Sequence, residues 1–201
     1  MQTPKGFAPR QLISGWLGEQ KADEILAYAI ASEARFAPAT VERSDGTSTV
    51  DRSLRDSQKL LDLGGHGEFI ADRIIDLMPA LSPLIGPLER PIQGLTLELV
   101  AHGDGAHFKR HLDTYFGVGA DQRRGRRRLS LVYYLNQRPK RYSGGALRFY
   151  SGDDTAWQDV IPDHDLLVCF PAWTAHSVER VQVPGGAFAH SRFAINGWLY
   201  D

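Results

Sequence analysis

Near Pro91 the spacing of apolar residues changes from every third or fourth position to every second one, so helices come first and a sheet follows. Upstream, Ala22, Ile25, Leu26, Ala29 and Ile30 form a stripe between Glu19 and Ala34, a segment that Pro38 closes. A second helix is expected over roughly Gly67 to Leu81, where Ile70, Ile74, Leu77 and Leu81 share one face, with Pro79, Pro83 and Pro87 breaking up its end. The helical part ends near Arg90. Downstream, Leu95, Leu97 and Leu99 alternate with Thr96, Glu98 and Val100, and Leu129, Leu131, Tyr133 and Leu135 alternate with Ser130, Val132, Tyr134 and Asn136. Further strands read at Ala146 to Tyr150, Leu166 to Phe170, His176 to Val181 and Arg192 to Tyr200, separated by Gly and Pro turns. Short strands at that spacing suggest a sandwich or barrel. No linker divides the two patterns, so residues 1–201 read as a single domain, with 1–90 as mostly helical support and 91–201 as the β core.

With 201 residues, 42% of them hydrophobic, the chain can bury a sizeable core, and a net charge of −1 argues against a bulk nucleic-acid or membrane binder. The single cysteine, Cys169, sits in the apolar run Leu166-Leu167-Val168-Cys169-Phe170, which leaves no intrachain disulfide and fits a reducing compartment. The N-terminal residues lack the apolar core of a signal peptide, and no apolar run approaches the ~18 residues of a membrane span. The expectation is a cytoplasmic protein.

The chemistry centres on His111-Leu112-Asp113, which follows the glycine-punctuated run Ala101 to Arg110. Two residues apart on a strand share a face, so an imidazole and a carboxylate would enter one space. That is two thirds of the two-His-one-carboxylate triad that holds Fe(II) and leaves positions open for small molecules. His-x-Asp alone is a weak signal, because His102-Gly103-Asp104 also fits it. Gly103 and Gly105 make that earlier pair a turn, and His102 and Asp104 are not expected to be ligands. The third ligand should come from a distant strand, and His176, opening a strand after the turn Pro171 to Ala175, takes that place. Alternation also puts Arg192, Ala194, Asn196 and Trp198 on one face of the last strand, opposite Phe193, Ile195 and Leu199. An arginine facing an interior needs an anion, either a protein carboxylate or an acidic ligand held bidentately.

Taken in order, His111-Leu112-Asp113, Tyr133-Tyr134-Leu135-Asn136, Ser143-Gly144-Gly145-Ala146-Leu147-Arg148, His176 and Ser191-Arg192-Phe193-Ala194-Ile195-Asn196-Gly197-Trp198 resemble the Fe(II)- and 2-oxoglutarate-dependent oxygenases of the prolyl hydroxylase type. The resemblance covers Leu95 to Asp201. It implies a double-stranded β-helix, or jelly roll, buttressed by the preceding helices. It further implies that His111, Asp113 and His176 bind iron, that Arg192 pairs with the distal carboxylate of 2-oxoglutarate, and that Tyr134 hydrogen-bonds the same carboxylate. The implied activity is a dioxygenase that hydroxylates a C–H bond with O₂, releasing succinate and CO₂, with ascorbate as a further implied reductant. A prolyl residue in a protein or peptide is the first substrate expectation, and a free amino acid or small metabolite the second. A non-catalytic jelly roll that senses iron or an organic acid would show a lost ligand, and a halogenase would replace the carboxylate, whereas Asp113 is present. Many members carry a tyrosine about ten residues before the first iron ligand, where this chain has Ala101-His102. The run Arg123-Arg124-Gly125-Arg126-Arg127-Arg128 falls where members have a substrate-covering loop, and reads either as a solvated charged loop or as an electropositive lid. Together with the polar Val41 to Ser57 segment, a hairpin or mobile loop, it is expected to flank the mouth of the barrel.

Overall fold

A computed structural model describes residues 6–42, 47–88, 90–114 and 126–201. In chain order the elements begin with β1 (Gln11–Ser14), α1 (Glu19–Ala31), β2 (Ala37–Pro38), β3 (Val41–Glu42), β4 (Ser48–Thr49), β5 (Arg55–Asp56), β6 (Gln58–Leu60) and α2 (Gly65–Ile85). There follow β7 (Gly94–His102), β8 (His107–His111), β9 (Arg127–Leu135), β10 (Ser143–Gly144), β11 (Leu147–Tyr150), β12 (Trp157–Val160), β13 (Leu166–Pro171), β14 (His176–Val178), β15 (Val181–Gln182) and β16 (Arg192–Tyr200). A seven-stranded sheet runs β1-β13-β9-β16-β7-β6-β2 and a five-stranded one runs β12-β11-β14-β8-β5. Neighbours pair antiparallel throughout, which gives the jelly roll.

Alternation along the long strands divides the apolar residues into two cores. Leu129, Leu131, Tyr133 and Leu135 of β9, with Phe193, Ile195 and Leu199 of β16, pack on the outside of the large sheet against Ile25 and Leu26 of α1 and Ile70, Ile74 and Leu81 of α2. The opposite face sends Val132, Tyr134, Val168, Phe170 and Ala194 inward to meet Leu147, Phe149 and Val160 of the small sheet. Because side chains alternate, the register that buries Phe193 and Ile195 under the helices also turns Arg192 and Asn196 inward.

The helices differ from expectation in one respect: α2 continues to Ile85 with Pro79 and Pro83 inside it. Each buried Ile or Leu stabilises by roughly 1.5 to 3 kcal/mol, about what one interior proline costs, and the apolar stripe has more members than the helix has prolines. Both prolines lie on the exposed side, and the Pro79 carbonyl, which Pro83 cannot reach with an N–H, accepts from Ser82 Oγ at 3.0 Å. The N-terminal part is also more than helical support. Strands β1, β2 and β6 extend the large sheet and β5 edges the small one. No helix of the described residues is long and apolar enough to cross a membrane.

Candidate active site

Two features bring the three expected ligands together. Strands β14 and β8 pair with His176 directly opposite His111. Past the end of β8 the chain bends, and Asp113 N and Thr114 N both donate to Ala172 O, at 3.0 and 3.2 Å, in the turn that leads to His176. Asp113 is therefore held by this turn rather than by the strand itself, a small correction to the shared-strand reading. Asp113 Oδ1 lies 3.5 Å from His111 Nε2 and Oδ2 lies 3.6 Å from His176 Nε2. Adjacent ligands on one first-row ion, each ~2.1 Å away, stand about 3 Å apart, so the donor set fits a single ion. Among the described residues this is the one cluster of its kind, and His102 and Asp104 stand outside it. Asp104 Oδ1 instead accepts from Val183 N at 2.8 Å.

Each imidazole is prepared for metal by its other nitrogen. His111 Nδ1 is 2.8 Å from Lys109 O and His176 Nδ1 is 2.9 Å from Thr174 O, so Nδ1 carries the proton and Nε2 presents a lone pair. Phe108 stacks on His111 with centroids 3.5 Å apart, and Phe170 meets His176 edge-on at 4.8 Å. Burial, reinforced by the neighbouring His111, lowers the His176 pKa to about 4, which keeps that ring neutral near pH 7. Burial alone would raise Asp113. The attraction of either neighbouring imidazole when it is protonated, and the hydrogen bond from Ser130 Oγ at 2.6 Å, outweigh it and hold the carboxyl well below its ordinary range.

Arg192 is 1% exposed. Its Nε donates to Gly145 O at 2.8 Å, Nη2 lies 3.4 Å from Tyr134 Oη, and Nη1 lies 3.4 Å from His102 Nδ1. A Cβ on Gly145, where φ is +68°, would stand 2.6 Å from Arg192 Cδ, so this approach needs glycine. Among the described residues no carboxylate pairs with Arg192, which leaves the acidic-ligand alternative for this cation. Tyr134 is fully buried, and burial raises its pKa to about 12. Its hydroxyl accepts from Arg192 and keeps its own proton to donate. The histidines, Asp113 and Arg192 line one cavity of about 220 Å³.

Residues 97–200 match the model of the 2OG-Fe(II) oxygenase superfamily, slightly more than half of the chain. The chain belongs to this superfamily. Membership implies Fe(II) and 2-oxoglutarate, the metal and the dianion that suit the donor set and an arginine with no carboxylate partner among the described residues. An uncharacterized PKHD-type hydroxylase of Synechocystis is 26% identical over 93% of the chain, which spans 61% of that protein. A prolyl-4-hydroxylase of Pseudomonas putida has the same fold, with a TM-score of 0.70 at 20% identity over 96% of this chain and 92% of that one. So does a Trichoplax adhaerens prolyl hydroxylase solved with a peptide fragment of the hypoxia inducible factor oxygen degradation domain, with a TM-score of 0.71 at 20% identity over 96% and 83%.

Several residues of this oxygenase cavity were not picked out from sequence. Arg55 Nη2 donates to Glu98 Oε1 at 2.6 Å and Arg55 Nε to Ser57 Oγ at 3.2 Å, both within the interior. Lys59 Nζ stands 3.9 Å from Glu98 Oε2, and Asn196 Nδ2 is 3.4 Å from Oε1. Glu98 could have been found, because the alternation that sends Leu97 and Leu99 outward sends it inward. The arginine-rich run needs correction. Arg123, Arg124 and Gly125 lie outside the described residues, but Arg127 and Arg128 belong to β9 and form no loop. Arg128 Nε donates to Asp201 Oδ2 at 2.7 Å, while Arg127 lies over the Trp198 ring at 4.3 Å and reaches Asp113 O at 3.3 Å. Of the Val41 to Ser57 segment, Asp45-Gly46 also lies outside the described residues. The β3–β4 pairing makes a hairpin whose Val41 and Ser48 line the cavity, as expected of a segment at its mouth.

Proposed function

We propose that this chain is an Fe(II)- and 2-oxoglutarate-dependent dioxygenase that hydroxylates a C–H bond of a prolyl residue in a protein or peptide. The observation that carries the co-substrate part is Arg192, a buried cation in the same cavity as His111, Asp113 and His176 and without a carboxylate partner among the described residues. In this reading the three clustered side chains hold Fe(II). Bound there, the iron supplies the redox chemistry that converts O₂, 2-oxoglutarate and substrate into succinate, CO₂ and hydroxylated product.

The protein's part is orientation and exclusion of water. Thr174 O and Lys109 O fix the imidazole tautomers, Ser130 orients Asp113, and one carboxylate with two neutral rings leaves residual positive charge for an anionic chelator. Arg192 receives the distal carboxylate and Tyr134 donates its free proton to it, which fixes the 2-oxo acid by its far end. Val132, Leu147 and Val178 give the cavity apolar wall, where a charge-assisted hydrogen bond is stronger than in water. The prolyl-peptide choice is supported by the fold shared with the two prolyl hydroxylases, one of which was solved with a peptide.

The test is succinate release from 2-oxoglutarate with Fe(II) and ascorbate against a panel of prolyl peptides and free amino acids, with mass spectrometry for a gain of one oxygen. The expected result is turnover with prolyl peptides. Oxidation of free amino acids and never of peptides would move the small-metabolite substrate to first place, and no turnover with any acceptor would favour the sensor.

A further inference from the structure

The cavity carries more positive charge than iron, co-substrate and the described carboxylates balance. Its charged lining consists of the cations Arg55, Lys59, Arg127 and Arg192 and the carboxylates Glu98 and Asp113. In the loaded site the charges of Fe(II), Asp113, Arg192 and the 2-oxoglutarate dianion cancel, and Glu98 offsets Arg55, which it meets at 2.6 Å. The histidines add nothing. His111 and His176 are neutral as ligands, and burial first, then the positive Arg192 and Arg55, hold His102 well below its ordinary pKa. Lys59 and Arg127 are left over.

Neither has a carboxylate of its own among the described residues. Leu60 of β6 packs under the helices, so alternation turns Lys59 inward beside Val100 of β7. Lys59 Nζ donates to Thr40 Oγ1 at 3.1 Å and lies 3.9 Å from Glu98 Oε2, a carboxylate that Arg55 already holds at the shorter distance. With 23% of its side chain exposed, Lys59 is reachable from the cavity. Arg127 meets only the Asp113 carbonyl and the Trp198 ring.

The two cations stand away from the co-substrate end. Arg192, Ala194, Asn196 and Trp198 follow one another along the inward face of β16. Asn196 reaches Glu98 and Trp198 lies under Arg127, so the surplus charge flanks the end of this face opposite Arg192. Two cations sharing one partly dry space repel each other, and an anion between them relieves the cost.

We infer that the acceptor is itself anionic, with Lys59 holding one of its carboxylates and Arg127 adding to the attraction. This deepens the prolyl-peptide reading above and rests on it. The carboxylate belongs either to an acidic residue beside the target proline or to the end of the acceptor chain.

Three peptides with one proline test this: a capped one with glutamate beside the proline, a capped one with glutamine there, and the glutamine peptide with a free C-terminal carboxylate. Binding is read by calorimetry on protein loaded with 2-oxoglutarate and redox-inert Zn(II), and kcat/KM on the Fe(II) enzyme. One carboxylate peptide is expected to bind about 10- to 100-fold more tightly than the neutral one, and which one identifies the source. In Lys59→Met this ratio is expected to fall by about fivefold or more, and in Lys59→Glu the neutral peptide should be preferred. Each ratio is taken within one protein, so a general loss of activity does not move it. Should Lys59→Met fail to fold, Lys59→Gln, which keeps a donor for Thr40, takes its place. Equal binding of carboxylate and neutral peptides by wild type, or a ratio unmoved by the Lys59 substitutions, overturns the proposal and leaves the prolyl-peptide reading intact. Absence of binding and of turnover with every peptide overturns both.

Discussion

The two flanks of the cavity each bury an arginine, and the two are treated differently. On the side of the small sheet and its edge, Arg55 meets Glu98 and Ser57. On the large sheet, Arg192 meets a carbonyl, a phenol and an imidazole, none of them charged. Glu98, an inward carboxylate of β7 that lines the same cavity, is already occupied by Arg55 with Lys59 behind it. A buried cation whose charge is compensated within the chain belongs to the wall, and one left uncompensated marks where an anion from outside is received.

The sharpest way to break this comparison is to remove each arginine in turn. Arg55→Ala strands Glu98 and is expected to lower unfolding free energy by about 3 to 5 kcal/mol in urea denaturation. Arg192→Ala strands no carboxylate and should leave stability nearly unchanged, while 2-oxoglutarate affinity, read by calorimetry, falls by ~10² to 10³ or more. Equal destabilisation by both substitutions would erase the distinction. The double substitution Arg55→Met with Glu98→Leu sharpens it, because removing both charges should recover most of the stability lost in Arg55→Ala. A double variant as unstable as the single one would mean that the pair is not what Arg55 contributes.

Acidity gives a smaller effect on the Arg192 side. The folded pKa of His102 is depressed, so below about pH 6.5 the unfolded chain takes up a proton that folded His102 refuses, and stability falls as pH drops toward the folded value. Relative to His102→Gln, wild type is therefore expected to lose up to about 1.4 kcal/mol more per pH unit in that window. Parallel stability curves between pH 7 and 5 would contradict the neutral ring. Smallest is Tyr134→Phe, which removes one hydrogen bond and should weaken 2-oxoglutarate binding by about 1 kcal/mol with no change in stability.

How much of this was legible in the sequence depended on whether a residue's face was fixed by its apolar neighbours. Phe193 and Ile195 had to go under the helices, so Arg192 had to turn inward, and the same logic oriented Tyr134. His111 and His176 were legible as a pair only through the order of motifs, since nothing local says that β8 and β14 are neighbours. Arg55 was not legible, because a charged residue in a polar stretch reads as solvated until β5 is seen paired with β8. Arg127 and Arg128 were misread for a related reason. A run of like charges suggests a loop, but Arg128 is neutralised by Asp201, 73 positions away, and Arg127 spreads over Trp198. Pro79 and Pro83 suggested a helix end because periodicity does not reveal that their missing hydrogen bonds lie on the exposed side.

The central claim is that the His111, Asp113 and His176 cluster and Arg192 act on one ligand, with the metal and the guanidinium holding its two ends. The metal dependence of 2-oxoglutarate binding tests this directly, by calorimetric titration into wild type with and without Mn(II) and into His111→Ala with Mn(II). The account predicts binding to the Mn(II)-loaded wild type, much weaker binding without metal, and loss of the metal-dependent part in His111→Ala. Equal affinity with and without Mn(II), or unaltered binding by His111→Ala, would contradict it.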